Sequence, residues 1–209
     1  MLMMTKDIEP FLNYLDELFP HVKCELNYSK DYELAIAVML SAQTTDASVN
    51  RVTKELFNKY PNLESYKNAT LKDIEDIIHS IGLYQNKAKN ILGITSMLIN
   101  DFNGVLPSDK NELMKLPGIG NKSAGVIRIE IFKIPDLPVD THVARVSKRL
   151  GFALVKDEPI DIEKRLKKLI EQDRWIKTHH QMIHFGRYFC LAKNPHCSEC
   201  KMRDFCCKN

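Results

Sequence analysis

The sequence has no long apolar run. Its longest are of the kind "LAIAVML" at 34–40, well short of the roughly 18 or more residues that cross a bilayer. No membrane-spanning helix is expected. The opening "MLMMTKDIEPF" places acids where a secretory leader would be apolar, and no small-residue cleavage site follows. A cytoplasmic protein without a targeting segment is the expectation. Strand-like alternation is nearly absent, and neither repeats nor low-complexity tracts occur, which argues against β and solenoid architectures. Charge of one sign is lacking too: the formal balance is only +3, so composition alone says little about nucleic acid.

What is present is ordinary in amount and uneven in placement. With 209 residues, 44% hydrophobic and 27% charged, the chain can bury a core as one large domain or two small ones. Residues 1–142 hold 15 Lys/Arg against 19 Asp/Glu, whereas residues 143–209 hold 15 against 8. That asymmetry points to a basic face towards a polyanion, or to a solvated basic helix surface.

Helical periodicity runs through most of the chain. Ile8, Phe11, Leu12, Leu15 and Leu18 share a face within 7–19, as do Val49, Val52, Leu56 and Phe57 within 45–60. Thr70 with Asp73 forms a capping-box pattern before Leu71, Ile74, Ile77 and Ile78, and Gly82 is placed to end that helix. Further helices fit from about 85 to 102, from Ser108 as cap to Pro117, and over 121–132, 140–150, 160–172 and 178–190. "IPDLP" at 134–138 is the best linker. The reading is all-α.

Four of the six cysteines lie as Cys190-x6-Cys197-x2-Cys200-x5-Cys206 in an irregular tail. In a cytoplasmic chain such density suggests a metal centre rather than disulfides. Thiolates suit zinc or iron–sulfur, and spacing does not separate the two. Cys207 adjoins Cys206 and could replace it, while Cys24 reads as a small buried hydrophobe.

"LPGIGNKSAG" at 116–125 joins one helix to the next through a glycine-rich turn. Exposed amides at the following helix N-terminus can take a phosphate without any side chain. Lys122 is out of place there, because the positive end of a helix favours acids. A helix end and partial burial both disfavour the ammonium form, and the neutral amine is the nucleophile that forms Schiff bases. The plainer reading is a second phosphate contact. Asp140, in "VDTH", opens the next helix after the linker. It can cap that helix and also serve as the carboxylate that an amine nucleophile needs.

Taken together, "LPGIGNKSAG", "VDTH", the four-cysteine tail, "SAQTTDASVN" at 41–50 and "IGLYQNKAKNI" at 81–91 resemble the endonuclease III family over nearly the whole chain. The family comprises bifunctional DNA glycosylases and abasic-site lyases of base excision repair. The resemblance implies an all-α fold of two helical domains flanking a DNA-binding groove. One, over 24–134, is a six-helix barrel with the helix-hairpin-helix. The other, 1–23 with 135–209, holds a [4Fe–4S] cluster ligated by Cys190, Cys197, Cys200 and Cys206, with Cys207 outside that pattern. It also implies Lys122 and Asp140 as the catalytic pair. Gln43 would fill the gap left by an extruded nucleotide and Leu83 would wedge into the stack, with Leu116, Gly118, Ile119 and Gly120 forming the hairpin contact to DNA. The expected partner is double-stranded DNA carrying oxidised pyrimidines or abasic sites, and a monomer is expected. The related adenine-specific glycosylases lack the hairpin lysine and usually carry a further recognition domain. A non-catalytic DNA-binding module would need neither Lys122 nor Asp140.

Overall fold

Buried apolar faces at helical spacing build almost every element of the computed structural model, which describes residues 7–206. Among these residues there is no strand. The α-helices are α1 (Glu9–Leu18), α2 (Asp31–Leu40), α3 (Asp46–Lys59), α4 (Leu71–Ile78), α5 (Tyr84–Asn100), α6 (Lys110–Lys115), α7 (Asn121–Ile131), α8 (Thr141–Leu150), α9 (Pro159–Leu169) and α10 (Trp175–His184). No described helix is long and apolar enough to cross a membrane. Cys207 lies outside the described residues.

Local chemistry sets the boundaries. Thr70 Oγ1 accepts from the Asp73 N–H, and the Asp73 carboxylate accepts from the Thr70 N–H, both at 3.1 Å, so α4 opens with the expected box. It ends at Ile78, before Gly82, and the chain turns through 79–83 instead. The cap of α6 is Asp109, not Ser108. The Asp109 carboxylate accepts from Asn111 and Glu112 at 2.8 and 3.0 Å, and a carboxylate at the positive helix end outcompetes a neutral hydroxyl. The helix expected over 160–172 stops at Leu169, where the Trp175 indole N–H takes the Ile170 carbonyl. That expected over 178–190 begins earlier, at Trp175, and becomes a π-helical turn at Phe185–Phe189, closed by Cys190 N–H to the Phe185 carbonyl.

Two compact units make up the chain. The first runs from Glu25 to Phe132. At its centre lies α2, buried at every position from Tyr32 to Leu40 and packed on α3, α5 and α7. Such a helix is apolar all round and shows no stripe. The Glu33 carboxylate turns back to the N–H groups of Ser29 and Lys30, which lets an acid sit at its buried start.

The second unit joins the segment ending at Cys24 to everything from Lys133 onward. Phe11, Leu12 and Leu15 of α1 enter one core with Val143, Val146, Leu150, Met182 and Phe185. Polar contacts fix the same association: Asp16 accepts from Gln181 at 2.8 Å and pairs with Lys177 and Arg174 at 2.7 and 3.1 Å. Burial opposes ionisation of Asp16, but these partners hold its carboxyl below the usual range.

Candidate active site

The segment between α6 and α7 has the form of a type II turn. Pro117 is its second residue, Gly118 its left-handed third with φ +77°, and Ile119 N–H reaches the Leu116 carbonyl at 3.0 Å. Space as well as φ demands glycine at 118, since a Cβ there would stand 2.5 Å from Asn90 Nδ2 and 2.9 Å from Met39 Cγ. Leu116 and Ile119 are buried. Their side chains anchor the turn to the core, so only their backbone is left to meet a ligand. Gly120 is exposed and gives α7 no side-chain cap, and the first turn of α7 presents its amides unmasked. Gly118→Ala is expected to destabilise the protein by about 1–2 kcal/mol from the left-handed backbone alone, with the Asn90 contact adding to it. Chemical denaturation would register the lower midpoint.

Lys122 stands in that first turn. It is exposed, not partly buried as the sequence reading expects. Any desolvation of its amine must come from a bound partner. Asp140 caps α8, with Oδ1 accepting from the His142 and Val143 N–H groups at 2.8 Å each. Its other oxygen takes no hydrogen bond among the described residues. Beside it, Arg145 Nη2 lies 3.2 Å from His142 Nδ1. Burial pushes the His142 imidazole below its usual range, Asp140 opposes this, and the Arg145 and Arg187 charges reinforce it. A neutral imidazole with Nδ1 as acceptor fits that setting.

Gln43 and Leu83 are both exposed and both left-handed, with φ of 54° and 59°. Neither is the Asn or Gly that tolerates this region, and the cost is about 1–2 kcal/mol for each residue. Leu83 is 60% exposed at the start of α5. Strained, solvent-facing side chains of this kind are a mark of functional positions.

A residue not singled out from the sequence connects them. Lys87, one turn into α5, is 4% exposed, and its ammonium donates to the Ala42 carbonyl at 2.9 Å and to Thr44 Oγ1 at 2.7 Å. The sequence did carry a signal: Lys87 falls in register with the buried Ile91, Ile94 and Leu98, where a cation is anomalous. Farther along the same helix, Gly93 allows Pro117 close approach, as a Cβ there would meet Pro117 Cγ at 2.8 Å.

In the second unit, Cys190, Cys197, Cys200 and Cys206 line a cavity of about 240 Å³ with Leu150, Phe185 and Met202. All four are free thiols. Among the described residues no three ligating side chains converge on a position for one ion. The thiols instead surround a space larger than one ion needs, which fits a polynuclear cluster. Burial pushes the Cys200 thiol up, and the negative sulfurs of the other three add to this against a backbone hydrogen bond at Met202. Arg149, on α8, donates to Cys190 Sγ at 3.2 Å and to the carbonyls of Leu191 and Ala192 at 2.7 and 3.1 Å. Arg145 donates to the Gly186 carbonyl at 2.7 Å. The helix capped by Asp140 thus also holds the cysteine loop. These arginines qualify the basic-face expectation. Arg145, Arg149, Arg165, Lys167, Arg174, Lys177 and Lys201 are all engaged by acids, main-chain carbonyls or both within the chain.

Residues 36–172 match the model of the HhH-GPD superfamily base excision DNA repair proteins, and residues 190–206 match the iron–sulfur binding domain of endonuclease III. Endonuclease III of Bacillus subtilis (strain 168) is 49% identical over 96% of this chain and 92% of its own. The chain belongs to the endonuclease III family. The Escherichia coli (strain K12) member is 38% identical over 93% of this chain and 92% of its own. A solved endonuclease III trapped as a covalent intermediate with DNA superposes with a TM-score of 0.94 at 47% identity, covering 98% of this chain and 96% of that one. Membership makes the chain a DNA glycosylase with abasic-site lyase activity, acting on DNA in base excision repair, with a [4Fe–4S] cluster as cofactor.

Proposed function

We propose that the chain removes oxidised pyrimidines from duplex DNA with Lys122 as nucleophile and Asp140 as its carboxylate partner, and cuts the strand 3′ to the abasic site. The observation that carries this is an exposed lysine on the uncapped N-terminus of α7, directly after a tight turn with Gly118 in the left-handed region. The Lys122 nitrogen lone pair forms a bond to C1′ as the glycosidic bond breaks, and the base leaves with the electron pair of the broken bond and takes a proton. Ring opening gives an imine between Lys122 and C1′, with the proton passing to O4′. The imine acidifies the C2′ hydrogen, so loss of that proton expels the 3′ phosphate. Water then hydrolyses the imine and frees the lysine. Asp140 stabilises the cation that develops at the sugar and receives protons through its oxygen that makes no capping bond.

Gln43 fills the vacated space in the duplex and Leu83 wedges the stack, since a base inside the helix is unreachable. The backbone amides of 118–120 hold phosphate, with Leu116 and Ile119 as their apolar footing. The unit over 25–132 is the hairpin-bearing barrel. The other unit is the cluster domain, with Cys190, Cys197, Cys200 and Cys206 as ligands. Held by these four thiolates, a cluster would tie the loop into the fold. The cytoplasm is the compartment consistent with free thiols in such number.

The test is strand scission on a panel of duplexes. Cleavage 3′ to thymine glycol and to an abasic site is expected, with intact pyrimidines and mispaired adenine left alone. Absence of cutting at thymine glycol, with the abasic duplex still cut, would overturn the substrate reading.

A further inference from the structure

Lys87 breaks a general rule. Lysine is almost never fully buried unless paired with an acid, yet its two hydrogen-bond partners, the Ala42 carbonyl and Thr44 Oγ1, are neutral. Burial pushes its ammonium below the usual lysine range, with no acid offsetting the effect. A methionine or leucine would suit the stripe of Ile91, Ile94 and Leu98 better. A residue that is poor for stability and well placed by geometry is a candidate for function.

The geometry is specific. Ala42 and Thr44 flank Gln43 in a turn closed by Thr44 N–H to the Ser41 carbonyl at 3.1 Å. The Thr44 hydroxyl donates on to the Ala42 carbonyl at 3.3 Å, so one ammonium gathers both sides of the strained residue. The base of Lys87 is tied to the other strained residue, because its backbone N–H donates to the Leu83 carbonyl at 3.0 Å. One side chain therefore runs from the start of α5, where Leu83 projects, to the turn from which Gln43 projects.

We propose that Lys87 is a positioning residue for base extrusion, holding the Gln43 turn in its left-handed conformation at a fixed offset from Leu83. The proposal rests on Gln43 and Leu83 being the side chains that enter the duplex. Entry into a stacked helix requires both to arrive in register, and a misplacement of about 1 Å can cost 10²-fold in rate. The buried ammonium supplies that register through two hydrogen bonds that an apolar residue cannot make. It also places a positive charge beneath a surface that meets a polyanion, so the charge is better accommodated in the complex than in the free protein.

The experiment compares Lys87→Met, Gln43→Ala and the double variant on two substrates under single-turnover conditions. One is a duplex containing thymine glycol, from which the base must be extruded. The other is a single-stranded abasic oligonucleotide, in which no stack has to be opened. Lys87→Met is expected to slow base release from the duplex by about 10²-fold while keeping the wild-type rate on the single strand. In the Gln43→Ala background the same change should add little, since the two act as one device. Equal losses on both substrates would make Lys87 a general structural residue, and multiplicative losses would make it independent of Gln43. Either result overturns the proposal. If Gln43→Ala alone leaves duplex turnover unchanged, the reading of Gln43 is what fails. Should Lys87→Met not fold, Thr44→Val removes one acceptor and leaves the lysine in place, with the same substrate-selective loss expected and the same outcomes decisive.

Discussion

Lys122→Gln is expected to bind an abasic-site duplex, to give no covalent complex when borohydride is added, and to leave the strand uncut. Glutamine keeps much of the length and a hydrogen-bond donor but has no basic nitrogen lone pair. Borohydride reduces an imine to a stable amine, so trapping reports the imine itself and not affinity. The loss of turnover should be at least about 10⁴-fold, the scale on which removing a covalent nucleophile acts. The protein should fold as well as the wild type, because Lys122 is exposed and a cation at the positive end of α7 does not stabilise it. A lysine that only contacts phosphate behaves differently: its loss would weaken binding, flatten the salt dependence and leave trapping intact. Trapping of Lys122→Gln at the wild-type level would place the nucleophile elsewhere.

The difference between what could be read in the sequence and what could not follows from where information is local. Thr70 and Asp73 are three residues apart and serve each other, so the start of α4 is legible. The stripes of α1 and α3 are legible for the same reason. Helix α2 is not, because Tyr32 to Leu40 are buried on every side and the apolar period vanishes. The cap of α6 is ambiguous because Ser108 and Asp109 are both good caps in adjacent positions, and only the folded chain selects one. The cysteine spacing announces a metal centre, but one ion and a cluster differ in how the sulfurs are spread in space, which spacing does not encode. In the hairpin, "LPGIG" states the turn, yet it does not state that Leu116 and Ile119 face the core while Gly118 and Gly120 face out. Long-range devices are the least legible. Lys87 reaches residues 43 and 45 positions away, and Arg149 a loop beginning 41 positions away. Nothing near either residue in the chain names its partner.

Asp140→Asn separates the two roles that this carboxylate can play. Both capping bonds go to a single oxygen, Oδ1, from His142 and Val143. Asparagine keeps a carbonyl oxygen for that position and caps helices as well as aspartate does. Folding should therefore be near normal. DNA affinity should hold or rise, because a negative charge that would repel phosphates has been removed. What the substitution takes away is the charge and the basicity of the second oxygen. If that oxygen stabilises the developing cation and accepts protons, turnover should fall by about 10²–10⁴-fold. Asp140→Ala is the companion variant. It removes the cap as well and should cost about 0.5–2 kcal/mol of stability, while its turnover should be no better than that of the asparagine variant. A residue serving only as a cap gives the reverse pattern, with asparagine active at the wild-type rate and alanine impaired in step with its lost stability. Single-turnover base release, measured beside thermal unfolding for the two variants, distinguishes these patterns. Wild-type rates in Asp140→Asn would leave Asp140 as the cap of α8 and remove it from the chemistry.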